Sequence, residues 1–281
     1  MNYLNMTKSK LFTVIIIGII VFISCDKIPQ SERYKIDSPV LCDTPVFPQM
    51  NTFMQKHLLE DYTGHTCNNC PRAQKIAVEL KTQMGDTLVI LAIHAGDNAR
   101  PEEGFSADYR TDAGNEFATE FQIGSYPRGM INRKVFNGKQ TLADSEWKSS
   151  FNNLVRNPPV IGIQIVTEEN NDNTCVFIKT SLLSNVNEKL RLCVFLTEDS
   201  IISPQKNGTK IDTFYVHNHM LRKSIAPIWG DVLNISANGE FAINAYSIDF
   251  KNTAWRKENC HIVAFVYDES TKEILQVTIN D

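Results

Sequence analysis

The sequence has no concentrated basic stretch: Lys and Arg number 28 against 32 Asp and Glu, a formal net charge of −4. Its small basic groups, such as Arg128, Arg133 and Lys134, read as ordinary solvated surface. Binding to a phosphate backbone needs a gathered basic face, so nucleic acid is not expected as a partner. The chain has no internal repeat and, beyond its N-terminal run, no candidate membrane segment. It also lacks the polar, low-hydrophobicity bias of a disordered chain, since 42% of residues are hydrophobic and 21% charged, which is a globular composition.

The N-terminus is present in detail. Lys8 and Lys10 precede an apolar run from Leu11 to Ile23, which ends at Ser24-Cys25. A basic start, an apolar stretch and a small residue before the cut predict a signal peptide over residues 1–24. The run falls short of the roughly 20 apolar residues of a membrane helix. Phe22-Ile23-Ser24-Cys25 resembles a bacterial lipobox, with Phe22 where Leu is usual, and Cys25 becomes the expected lipidation site. A plain signal peptide or an uncleaved anchor is the alternative. Acyl chains at Cys25 make the membrane a partner through this anchor. Residues 25–50, broken by Pro29, Pro39, Pro45 and Pro48, read as a tether. Of seven cysteines, setting Cys25 aside leaves six, and an exported chain is free to pair them.

Residues 51–156 alternate strand and helix. A short strand over 57–62 precedes Pro71, which suits the first turn of a helix, and Ala73, Ile76, Ala77, Leu80 and Met84 share one face of it. The apolar run from Thr87 to His94 reads as a strand buried on both faces. A polar excursion follows, then a helix near 115–122, a strand entered at Tyr126-Pro127, a turn at Asn137-Gly138 and a helix carrying Leu142, Trp147, Phe151 and Leu154. The order is that of a thioredoxin-like core. Asn157-Pro158-Pro159 ends it. Over 160–281, strand-like runs at 160–167, 174–183, 190–197, 211–217, 240–248, 261–268 and 274–279 predict an antiparallel β-sandwich. The expected fold class is therefore α/β plus all-β.

Cys67-Asn68-Asn69-Cys70-Pro71 lies between a predicted strand and a predicted helix, the context that makes a CxxC a redox candidate. A thiolate at a helix N-terminus is favoured by the unpaired N–H groups and the helix dipole. Cys67 is the candidate nucleophile, Cys70 the resolving thiol, and Pro127 a cis-proline candidate facing them. A structural disulfide with no turnover is the bland alternative. A zinc site would need a second pair of ligands, for which His65 and His94 are the nearby candidates; no metal and no tightly bound cofactor is expected. His65 is either an imidazolium beside the Cys67 thiolate or an exposed loop residue. Glu60 and Asp61 read as a surface pair at a strand end, or as a proton acceptor for Cys70. His217 and His219 would share a strand face. Cys193 and Cys260 could bridge the sandwich, leaving Cys42 and Cys175 to pair or stay free.

The stretch Leu59-Glu60-Asp61-Tyr62-Thr63-Gly64-His65-Thr66-Cys67-Asn68-Asn69-Cys70-Pro71-Arg72 resembles a signature of the twenty-eight-kilodalton class of outer-membrane lipoproteins from Bacteroidetes-type bacteria. Tyr126 to Arg133 is similar to that class's proline loop, and His217 to Arg222 to a stretch of its C-terminal half. The resemblance implies an outer-membrane lipoprotein with a thioredoxin-like domain and a β-rich domain. It implies little about activity, adhesion aside; with the CxxC reading beside it, two functions stand as expectations. One is thiol–disulfide exchange with the thiols or disulfides of envelope proteins; the other is surface binding or adhesion with the CxxC locked. The motif lacks the Trp-Cys-Gly-Pro-Cys of thioredoxin, so redox direction and substrate do not carry over.

Overall fold

Among the described residues, the first half of the chain packs three α-helices around a parallel strand pair and an antiparallel neighbour, and the second half is nearly all strand. The computed structural model describes residues 35–36, 42–50, 52–154, 157–170 and 173–280. The signal peptide, Cys25 and most of the tether lie outside the described residues. In order come β1 (Lys35–Ile36), β2 (His57–Thr63), α1 (Cys70–Met84), β3 (Leu88–His94), α2 (Asp112–Glu120), β4 (Arg128–Ile131) and α3 (Asp144–Asn152). Then follow β5 (Ile161–Asn170), β6 (Asn173–Leu182), β7 (Leu190–Glu198), β8 (Ile201–Asn207), β9 (Lys210–His217), β10 (Met220–Ser224), β11 (Asp231–Leu233), β12 (Phe241–Asp249), β13 (Cys260–Asp268) and β14 (Ile274–Ile279).

The strands form an eight-stranded mixed sheet in the order β14-β13-β7-β10-β3-β2-β4, with β11 on β7. A four-stranded sheet runs β1-β12-β6-β5, and β8 and β9 make a separate hairpin. The α/β and β-rich parts expected from sequence are both present, and the larger sheet runs through both. Its seam is β10, parallel to β3 on one side and antiparallel to β7 on the other. Tyr34–Asp281 is accordingly one compact unit.

Alternation along the strands explains the layers, because successive side chains point to opposite faces. On one face of the large sheet Leu58, Leu91, Ile93, Phe195 and Phe265 pack with Phe117 of α2. On the other, Leu59, Leu88 and Ile90 meet Ala73, Ala77 and Leu80 of α1 and Trp147 of α3. Further along that second face, Leu192, Val194 and Ala264 pack against Ile161, Val176 and Ile178 of the four-stranded sheet. Each cluster removes many apolar side chains from water, at about 1.5–3 kcal/mol per fully buried Leu, Ile or Phe.

Two local signals fall where the sequence placed them: Pro71 occupies the first turn of α1, and Asn137-Gly138 turns with both φ positive, as a tight hairpin turn requires. The helix expected near 115–122 starts earlier, at Asp112, where Thr111 caps it by accepting from the Gly114 amide. The tether's Cys42 is pinned to β6 through a disulfide with Cys175. Cys193 and Cys260 are free, so the expected bridge between them is corrected. Both strands lie in one sheet, where Cys193 opposes Phe265 and Cys260 opposes Glu198, a separation beyond disulfide reach.

Candidate functional site

β2 ends at Thr63, and the chain then folds into the CxxC loop. Thr66 donates its amide to Asn98 O at 3.0 Å, and Cys67 donates to Gly64 O at 3.1 Å. Glycine is required at position 64, because a Cβ there would lie 2.3 Å from the Asn98 carbonyl oxygen. Cys67 and Cys70 are joined as a disulfide. α1 starts at Cys70 with Asn69 as its N-cap, so the resolving position, rather than Cys67, is first in the helix. β4 pairs antiparallel with β2 in a register that sets Tyr62 opposite Arg128. Pro127, the residue before Arg128, therefore stands at the sheet end from which the CxxC loop leaves. Its peptide bond with Tyr126 is cis.

Both cysteines are closely covered, Cys67 at 5% exposure and Cys70 at 3%. The cover is the β8–β9 hairpin. Lys206 donates its amide to His65 O at 2.8 Å, and Gly208 donates to Asn68 O at 3.0 Å. The buried Gln205 side-chain amide donates to Gly64 O at 3.2 Å and to Cys67 O at 3.0 Å. Lys206 also pairs with Glu102 at 2.6 Å, and the Tyr215 hydroxyl donates to Gln74 of α1. β8, which carries Pro204, was not among the strands expected from the sequence. Nothing local in the sequence marks Gln205 as a clamp.

Glu60 and Asp61 are a correction to the surface-pair expectation. Both are buried, because β2 lies between β3 and β4 and is covered on both faces. Glu60 points to the α2 side and accepts from Arg133 Nε at 3.0 Å and Nη2 at 2.8 Å. Arg133 is itself buried, against its reading as solvated surface, with Phe117 and Phe121 ring centres 4.7 and 4.9 Å from its guanidinium carbon. Asp61 points to the α1 side, and its Oδ1 has no hydrogen-bond partner among the described residues. Burial, reinforced by the Asp144 carboxylate, pushes the Asp61 carboxyl up to about 7. Asp144 is held by Arg72, which donates to it at 2.7 and 3.0 Å.

His65 is not the exposed loop residue of the sequence reading. It is buried, stacks on Phe105 with ring centroids 5.4 Å apart, and its Nε2 lies 3.0 Å from Arg100 O, a contact in which the ring nitrogen must be the donor. Burial lowers its pKa. His94 and His217 lie 5.5 Å apart by ring centroid, with Tyr109 against both. Burial holds His94 well below the usual imidazole value and His217 at about 4. Among the described residues no group of three His, Cys, Asp or Glu is arranged to hold a metal. His217 and His219 do not share a face. β9 ends at His217, His219 takes a positive φ, and its Nδ1 turns to Asp199 at 3.3 Å.

Residues 114–280 match the family described as outer membrane protein Omp28. The chain belongs to the Omp28 family. As an Omp28 protein it resides at the bacterial outer membrane. The matched span takes in most of α2, β4 with Pro127 and the β-rich half, while the CxxC precedes it. In fold it is similar to HBP35 of Porphyromonas gingivalis, at 15% identity and a TM-score of 0.60 over 82% of this chain and 76% of that one. A domain of the outer membrane lipoprotein Omp28 from Porphyromonas gingivalis matches at 27% identity over 43% of this chain and 86% of that domain, with a TM-score of 0.31. No curated protein matches the chain.

Proposed function

We propose that this Omp28 protein is held at the outer membrane by lipid on Cys25 and exchanges disulfides with envelope proteins through a thioredoxin-like unit over residues 51–156. The observation that carries the reading is the Cys67–Cys70 disulfide closed at the start of α1, with a buried carboxyl, Asp61, its Oδ1 unpartnered, on the strand beneath that helix. In the oxidised form a client thiolate attacks Cys67 Sγ, the Cys67–Cys70 bond breaks, and the Cys70 thiolate leaves and takes the proton of Asp61. A second client thiolate then attacks the client sulfur of the mixed disulfide. Cys67 leaves as thiolate, the client is oxidised, and the pair is reduced by two electrons. The same steps reversed reduce a client disulfide. Pro127 lines the client side of Cys67, and the β8–β9 hairpin must lift before a client enters.

A second reading is favoured by the cover itself. With both cysteines under the hairpin, the disulfide is a staple and the β-rich half binds a surface partner. Trapping separates the two. In Cys70→Ser, exchange predicts reductant-sensitive adducts of higher mass in the cell envelope, absent when Cys67 is also changed to Ser. Gln205→Ala, which removes both clamp bonds to the loop, is expected to raise adduct yield about tenfold, the ratio given by roughly 1.4 kcal/mol of lost hydrogen bonding. Absence of adducts in both backgrounds would support the staple.

A further inference from the structure

A cleft of about 410 Å³ opens between α1 and β9, in the size range of small-molecule sites. α1 contributes Ala77 and Val78, β3 contributes Ile90 and Ala92, and β9 contributes Tyr215 and Val216. Asp61 lines the same cleft at 2% exposure with Oδ1 unpartnered. A buried carboxyl without a partner is unfavourable; here it lies at the floor of a cleft whose charged residues Lys75 and Glu79 stand exposed on α1, so a head group that meets Asp61 must bring hydrogen-bond donors. Three head groups can be ranked by charge. A carboxylate would face Asp61, while Lys75 and Glu79, both exposed and four residues apart on α1, offset each other at the rim. An alcohol supplies one hydrogen bond and leaves an ionised Asp61 uncompensated. An ammonium supplies donors and the opposite charge, the combination that stabilises a buried ion. The tail then lies on the alanines, valines and Ile90.

We propose that this cleft is a binding site for a small apolar molecule carrying a primary amine, its ammonium set against Asp61. The site does not depend on turnover at Cys67–Cys70, and its test makes no use of the disulfide. The full chain is held in phosphatidylcholine nanodiscs at pH 8 and titrated with benzylamine, benzyl alcohol and benzoate. Binding is followed by ligand-observed NMR against empty nanodiscs. Benzylamine is expected to bind at least tenfold more tightly than benzyl alcohol, with benzoate weakest. Asp61→Asn should remove the advantage of the amine without weakening the alcohol. Val78→Trp, at an exposed helix position, should fill the cleft and abolish both, with circular dichroism reporting an unchanged fold. Equal affinity of amine and alcohol, amine binding that survives Val78→Trp, or no binding of either would overturn the proposal.

Discussion

Arg133→Ala is expected to lower the unfolding free energy by roughly 3–5 kcal/mol, the usual loss when one partner of a buried ion pair is removed. Arg133 and Glu60 both have fully buried side chains, with 2.8 Å between Nη2 and Oε1. Burial alone would depress the guanidinium's pKa, and the Glu60 carboxylate more than offsets it. Without Arg133 the carboxylate would remain in an apolar layer built from Phe117, Phe121, Phe265 and Tyr267. Those rings come from both halves of the chain, so the loss falls on the whole unit. The pair Glu60→Leu with Arg133→Met should recover most of it, since apolar replacements of similar volume are often neutral. Urea unfolding of the two variants checks both statements; a single variant within about 1 kcal/mol of the parent would contradict the burial argument.

Asp61→Asn should stabilise the protein at pH 8 and do little at pH 4. The sign follows from linkage. The folded-state pKa stands near 7 against an ordinary value of 3.8, so between those values the folded protein keeps a proton that the unfolded chain releases. Stability therefore falls as pH rises through that window, and the full penalty stands above pH 7. A shift of that size corresponds to about 4 kcal/mol, an order-of-magnitude figure. The substitution removes the ionisable group and with it the penalty. Unfolding curves at the two pH values should differ between parent and variant by several kcal/mol more at pH 8. An equal difference at both would mean that Asp61 is not held protonated by its surroundings. A carboxyl kept at such a cost, beneath the helix that carries Cys70, fits the placement of strain at functional sites.

The helix α1 and strand β3 were legible because their patterns are local: Ala73, Ala77 and Leu80 repeat at helical spacing, and Leu88 to His94 is a continuous apolar run. The CxxC was legible for the same reason, whereas the Cys42–Cys175 disulfide joins residues 133 apart and stayed open in the sequence. Glu60 and Asp61 were misread because charged residues in a strand suggest solvent. What buries them is the pairing of β2 with both neighbours and, for Glu60, an arginine 73 residues away, which local pattern does not contain. The hairpin clamp was missed for a related reason. Ile201–Asn207 holds a proline and polar residues, and its partners are carbonyls of the CxxC loop about 140 residues earlier in the chain. β10, five residues long with Arg and Lys within it, gave no periodic signal, yet it joins the two halves of the large sheet.

The most direct test of the central claim is the reduction potential of Cys67–Cys70 in the full chain, set against glutathione redox buffers with Cys67 alkylation as the readout. Disulfide exchange predicts a potential between about −120 and −270 mV, the range of working oxidoreductases, with a Cys67 thiol that alkylates once reduced. A potential below about −300 mV, the range of structural disulfides, with Cys67 unreactive after mild reduction, would contradict it.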